Sequence, residues 1–261
     1  MKKTGVIAAV AAAVLVSTLP AAGASGLSAL SDEFGDPASL AKWQVFQGDL
    51  QDGVESRYDV GATTPGQLTI VPGRSWWFGD TRAFFLSESV RGDFKATMLV
   101  QATGKQTPLP TANWSLSGIL VRQPTSDRTR ESWVSLRSGV VGGSPVFERK
   151  TTRTSRSELV LTSAKPGWVE LRIARLGPKF VLLYRYPGDR WRLHWVYTRF
   201  DLPAQLQVGI DAFTGDEDTK ADLVSHVDYF RFAATAVPTK LRKGYLAGRV
   251  GIGKLLPYLV R

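Results

Sequence analysis

An all-β sandwich is the fold class this sequence predicts, and three observations lead there. Short segments alternate apolar and polar residues with period two, as in Gly66-Gln-Leu-Thr-Ile70, Ser117-Gly-Ile-Leu-Val-Arg122 and Asp222-Leu-Val-Ser-His-Val-Asp-Tyr-Phe-Arg-Phe232. Successive side chains of a strand project to opposite faces, so such alternation marks a strand with one buried side. Gly, Pro and Asp punctuate the runs where turns require them. Helix signals are scarce, the exception being one turn at Asp36-Pro-Ala-Ser-Leu-Ala41.

Taken in order, strands are predicted near 43–48, 56–61, 67–71, 83–87, 93–101, 116–123, 131–137, 144–150, 156–162, 168–175, 178–186, 191–199, 205–212 and 222–233. Gly142-Gly143, Leu176-Gly-Pro-Lys179 and Pro187-Gly-Asp189 supply turns between neighbours. No linker divides this body, and an all-β sandwich of some 200 residues is ordinary as one domain. Parity sets Val134 and Leu136 on one face, with Trp133, Ser135 and Arg137 on the other. It likewise separates Ile119 and Val121 from Gly118, Leu120 and Arg122, so adjacent strands would align Arg122 with Trp133 and Arg137.

The ends differ from the body. Met1-Lys2-Lys3 followed by an apolar stretch from Gly5 to Leu19 and the small residues Ala22-Gly23-Ala24 is the pattern of a cleaved secretory signal. The expected division is a signal peptide over 1–24, a sandwich over 25–236 and a basic tail over 237–261, flexible or partly helical. The expected location is the bacterial periplasm or the exterior. Cysteine is absent, which excludes disulfides, zinc–thiolate sites and a thiol nucleophile.

The formal charge of +10 is unevenly placed: two lysines leave with the signal, six cations sit in the tail, and +2 remains for the body. A nearly neutral body has no footprint for nucleic acid, and none is expected as a partner. The tail combines those cations with Leu241, Tyr245, Ile252, Leu255, Leu256 and Leu259 near helical spacing, so it is a candidate contact for an anionic membrane surface or a protein.

Aromatic side chains carry the functional signal. An exposed Trp offers a flat apolar face to sugar C–H groups while a neighbouring Arg takes hydroxyls. Trp76 and Trp77 are adjacent in sequence and must face opposite ways if they lie on a strand. Trp76, Trp77, Arg122, Trp133, Arg137 and Trp195 are therefore the ligand-binding candidates. His194 and His226 are too few for a hydrolase triad or a metal cluster, and Asp211 has no visible carboxylate partner. Asp216-Glu-Asp218 falls in a turn-like stretch and is expected to be a solvated loop.

Leu30-Ser-Asp-Glu-Phe34, Trp43, Gly66-Gln-Leu-Thr-Ile-Val-Pro72, Trp76-Trp77, Gly92-Asp-Phe94, Ser117 to Arg122, Leu171-Arg-Ile-Ala-Arg175 and Val227 to Phe232 follow one another in an order that resembles the concanavalin A-like lectin/glucanase superfamily. The match looks closest to its modules of unknown function related to the C-terminal domain of β-xylosidases, over about residues 28–233. The resemblance implies a two-sheet antiparallel jelly roll whose concave face or rim binds glycans, and a structural calcium site where the first and last strands meet, with Asp228 and Asp32 as its candidate ligands. Glucanases of the superfamily carry Glu-x-Asp-x-x-Glu on one strand, and no such motif occurs here. The leading expectation is thus a non-catalytic carbohydrate-binding or cell-envelope accessory protein. A divergent glycoside hydrolase or lyase, and a structural sandwich that binds a protein partner, remain the alternatives.

Overall fold

The computed structural model describes residues 26–47, 54–78, 80–81, 83–215 and 220–261. The predicted signal segment and Asp216, Glu217 and Asp218 lie outside the described residues. Two seven-stranded antiparallel sheets make up the body. With strands numbered along the chain, the first sheet runs in space β1 (Gln44–Phe46), β6 (Phe84–Arg91), β15 (Gln205–Phe213), β8 (Ser115–Arg122), β9 (Trp133–Val141), β10 (Ser144–Arg153) and β11 (Arg156–Ser163). The second runs β14 (Arg192–Thr198), β13 (Lys179–Arg185), β12 (Val169–Leu176), β7 (Phe94–Gly104), β16 (Leu223–Ala233), β3 (Leu68–Val71) and β2 (Arg57–Val60). A small hairpin, β4 (Trp77–Phe78) and β5 (Asp80–Thr81), completes the set. The order of strands and their antiparallel pairing make this a jelly-roll sandwich.

The predicted alternation builds the core. Ile119 and Val121 of β8, Val134 and Leu136 of β9, and Phe84, Leu86 and Val90 of β6 point between the sheets. They meet Phe94, Ala96, Met98 and Val100 of β7 and Leu171 and Ile173 of β12. In β16 the alternation changes phase. A bulge between Val227 and Tyr229 inserts Asp228, after which Phe230 and Phe232 point inward and Tyr229 and Arg231 outward. The β9–β10 hairpin closes through Gly142 and Gly143 at φ +57° and +73°, left-handed values that glycine adopts without strain. That turn lets both strands run longer than the alternation alone indicates.

The C-terminal segment packs against the outer face of the second sheet. Pro238 precedes helix α1 (Thr239–Leu246), and a shorter helix α2 (Leu256–Leu259) follows. Tyr245, Leu255 and Leu259 are buried on Ala174, Leu176, Val181 and Leu183, while Lys240, Lys243, Arg249 and Lys254 face solvent. Gly244 weakens α1 intrinsically, yet a Cβ there would lie 2.8 Å from Val250 Cγ2, so the small residue is needed where the chain turns back. Among the described residues no helix is long and apolar enough to cross a membrane.

Candidate functional site

The outer face of the first sheet gathers charge that the sequence separates widely. Register sets Asp211 of β15, Gly118 of β8, Arg137 of β9 and Glu148 of β10 in one row across four strands. Arg137 donates from Nε to Asp211 Oδ2 at 2.6 Å, and its Nη1 donates to Glu148 Oε1. The guanidinium also lies over the rings of Trp133 and Phe213, at 5.3 and 5.2 Å. All three ionic side chains are buried, at 1% exposure or less. A Cβ on residue 118 would stand 2.5 Å from Arg137 Cα, so glycine is what lets the arginine lie across the sheet.

Burial works against every charge in this row. It pushes the Asp211 carboxyl up to about 6 against the pull of Arg137. Burial would likewise lower the Arg137 guanidinium, and the two carboxylates more than offset it. Asp211 and Glu148 are thus paired carboxylates that no single-strand motif reveals, and both are turned onto one arginine.

A segment crosses this face. Arg74 bridges Thr214 at the end of β15 that adjoins the start of β8, and β5 lies against the short 3-10 helix Arg128–Arg130 beyond the other end of β8. Between these two points Trp76 packs against the buried cluster that contains Phe85, Leu120, Trp133 and Phe213. Arg122 sits opposite Trp133, as parity indicates, and Nε and Nη2 grip Glu131 at 2.8 and 2.6 Å while Nη1 reaches Gln207 at 2.6 Å. The structure therefore brings Arg122, Trp133 and Arg137 together with Trp76 beside them, but as a packed cluster. Trp133 and Arg137 have no exposed surface for a ligand to touch in this conformation. Trp77 lies in β4, and its side chain is outside the described part.

Trp195 is placed differently. It lies on β14, the edge strand of the second sheet, and is 45% exposed. The guanidinium carbon of Arg149, from β10 of the other sheet, sits 3.8 Å from its ring centroid, and Arg149 Nη1 reaches Tyr197 Oη at 3.5 Å. A register shift between Leu182 and Leu183 bulges His194 inward against Phe147 and Tyr184, at 5.8 and 5.7 Å. Burial, with Arg149 nearby, lowers His194 to about 4, so it is neutral near pH 7. Tyr184 and Tyr186 extend the aromatic lining toward Lys165, whose Nζ lies 5.4 Å from the Tyr186 ring. The open side of the sandwich between β14 and β10 thus carries an accessible indole, a cation and phenolic hydroxyls.

Asp32 forms a backbone bridge with Phe230, next to the bulge at Asp228. Its carboxylate accepts from Phe34 N at 2.9 Å and Trp43 Nε1 at 2.8 Å, and Lys42 Nζ stands 3.4 Å away. Protein donors satisfy the oxygens a calcium ion would need. Among the described residues no group of three or more His, Asp or Glu side chains gathers at one point.

No protein-family model matches the chain, and no curated protein does. Solved structures do. A GH43 protein from Bacillus licheniformis matches with a TM-score of 0.59 at 16% identity, over 78% of this chain and 39% of that one. The chain therefore spans about two fifths of that protein. A protein of Mycobacterium tuberculosis described as an immunostimulatory antigen and pseudo β-1,3-glucanase matches at 0.52 and 13% identity, over 78% and 97%. The β-glucanase of Bacillus licheniformis matches at 0.53 and 9% identity, over 78% and 96%. These likenesses show the fold alone: a two-sheet antiparallel jelly-roll sandwich like that of the glucanase structures.

Proposed function

We propose that this protein is an exported, non-catalytic carbohydrate-binding accessory module, related to the C-terminal domains of β-xylosidases, and that its sugar platform is the open edge at Trp195. The observation that carries this reading is the exposed indole of Trp195 stacked with Arg149 beside Tyr197. A ring of that kind gives a sugar an apolar face, and the guanidinium and phenol supply directional hydrogen bonds. The absence of turnover is supported by Asp211 and Glu148, which are both committed to Arg137 and shielded from solvent. A general acid must reach the leaving-group oxygen, and neither carboxyl is free to do so. The description of a structural neighbour as a pseudo β-1,3-glucanase is consistent with a sandwich of this type that lacks turnover. Export rests on the N-terminal pattern, and the exposed cations of the tail leave room for an anionic envelope surface as a secondary contact.

Affinity electrophoresis of the mature chain in gels containing xylans, β-glucans and arabinans tests the reading. At least one polysaccharide should retard the protein, Trp195→Ala should abolish the retardation, and no reducing ends should appear. Equal mobility in every gel would refute the binding half.

A further inference from the structure

The C-terminal segment carries a groove that neither the sandwich nor the sugar platform uses. Pro238 ahead of α1, Lys240, Leu241 and Gly244 on it, Arg249 and Val250 in the turn that follows, and Tyr258 of α2 line an open groove of about 550 Å³. That volume falls within the roughly 300–1,000 Å³ of small-molecule sites. The floor is carbon: Leu241, Val250 and the Tyr258 ring are half-buried, and Gly244 has no side chain to fill the space. Lys240 and Arg249 are exposed and form the rim.

The side-chain charge around this groove is all of one sign. No Asp or Glu follows Val237 in the sequence. Lys240, Lys243, Arg249 and Lys254 are exposed and form no ion pair with a carboxylate side chain among the described residues, whereas Arg242 is held by Asp93 at 2.5 Å. Arg261, whose backbone oxygen accepts from Lys95 Nζ at 2.6 Å, is not among the lining residues. Lys243 follows Lys240 at a spacing that sets the two side by side on α1. The occupant that complements an apolar floor and a cationic rim joins an anionic group to a length of hydrocarbon.

An extended peptide is a poor match, because it docks through main-chain hydrogen bonds to an open backbone edge. Here the N–H groups of Arg242, Ala247, Gly248 and Arg249 are bonded to oxygens of Pro238, Lys243, Tyr245 and Gly244 within the segment itself. What the groove offers is point charges beside an apolar surface, the two things a lipid presents to match at an interface, and a tyrosine ring suits that depth. We propose that this groove docks the protein on an anionic phospholipid, with Lys240 and Arg249 on its phosphate and the floor against the first methylenes of one acyl chain. Lys243 and Lys254 then meet neighbouring headgroups. The inference deepens the envelope contact proposed above for the tail and rests on export, but it is independent of the sugar platform, which shares none of these residues.

The test is calorimetric titration of the mature chain with dihexanoylphosphatidylglycerol below its micelle-forming concentration, with dihexanoylphosphatidylcholine and a polyglutamate peptide as parallel arms. Sedimentation with phosphatidylglycerol vesicles, set against phosphatidylcholine vesicles, repeats the comparison at a bilayer. Saturable binding of phosphatidylglycerol alone supports the site, with Lys240→Gln and Arg249→Gln each weakening it about fivefold. Val250→Asn, which leaves the charge unchanged, should weaken it at least as much, and all three variants should keep the parent's circular dichroism spectrum. On the unmutated chain the amide resonances of Leu241, Gly244, Val250 and Tyr258 should shift together during the titration. Absence of binding, equal binding of both lipids, polyglutamate bound in preference to phosphatidylglycerol, or Val250→Asn binding as the parent does overturns the docking site. Trp195→Ala should bind the lipid as the parent does, so a chain that polysaccharide gels retard and phosphatidylglycerol does not bind fails on this inference alone.

Discussion

Replacing Arg137 by methionine removes a charge that holds two buried carboxylates, and the structure sets the size of the loss. Asp211 and Glu148 are at most 1% exposed, and each meets the guanidinium directly. Breaking a buried pair by deleting one partner costs about 3–5 kcal/mol, because the charge left behind has neither water nor a counter-ion. Methionine keeps much of the volume against Trp133 and Phe213, so cavity formation adds little. Denaturant unfolding at pH 8 should therefore show Arg137→Met less stable by about 3–5 kcal/mol. The loss should shrink at pH 5. With the arginine gone, the Asp211 carboxyl, already raised by burial to about 6, rises further above its unfolded value, so stability is recovered by protonation as pH falls and lost as pH rises. The triple variant Arg137→Met, Asp211→Asn, Glu148→Gln should recover much of the loss at pH 8. A penalty under 1 kcal/mol at pH 8, or the same penalty at pH 5 and pH 8, would show that the row is not an ionic lock.

Glu88 points between the sheets, and burial raises its carboxyl from 4.5 to about 7 despite Lys42. Its folded-state pKa lies above the unfolded value, so the parent loses stability as pH climbs from 4.5 to 7 and Glu88→Gln should not. The full difference would be about 3.4 kcal/mol; screening at a partly solvated carboxyl brings the expected gain at pH 8 to about 1–2 kcal/mol, checked by urea unfolding at pH 5 and pH 8. Trp133→Ala should destabilise by about 3–5 kcal/mol, whereas Trp195→Ala should leave thermal unfolding nearly unchanged. Leu255→Ala, at a fully buried tail position, should cost about 2–5 kcal/mol and speed proteolysis after Val237, which limited digestion would reveal.

The fold was legible because period-two alternation is a local property: the inward set Ile119, Val121, Val134 and Leu136 can be read from two short runs. Accessibility was not legible. Parity places Trp133 and Arg137 on the outer face, but whether that face meets water depends on residues 74–78 and 80–81, whose path over the sheet is fixed by distant anchors at Thr214 and Arg128–Arg130. The carboxylate pair was hidden for a related reason. Asp211 and Glu148 lie 63 positions apart, and only the register of β15, β8, β9 and β10 sets them on one arginine. Asp211, between the inward Ile210 and Ala212, has outward parity, so a polar residue there gives no sign of burial. Stacking of Arg149 on Trp195 joins opposite sheets, which no alternation pattern encodes.

The most direct test is calorimetry with the polysaccharide that retards the protein, comparing the parent, Trp195→Ala and the triple variant Arg137→Met, Asp211→Asn, Glu148→Gln, with reducing ends and circular dichroism measured on the same samples. Trp195→Ala should weaken binding by about 1–3 kcal/mol, on the order of ten- to a hundredfold, while the folded triple variant binds as the parent does and no sample releases sugar. Turnover by the parent that disappears in the folded triple variant would contradict this.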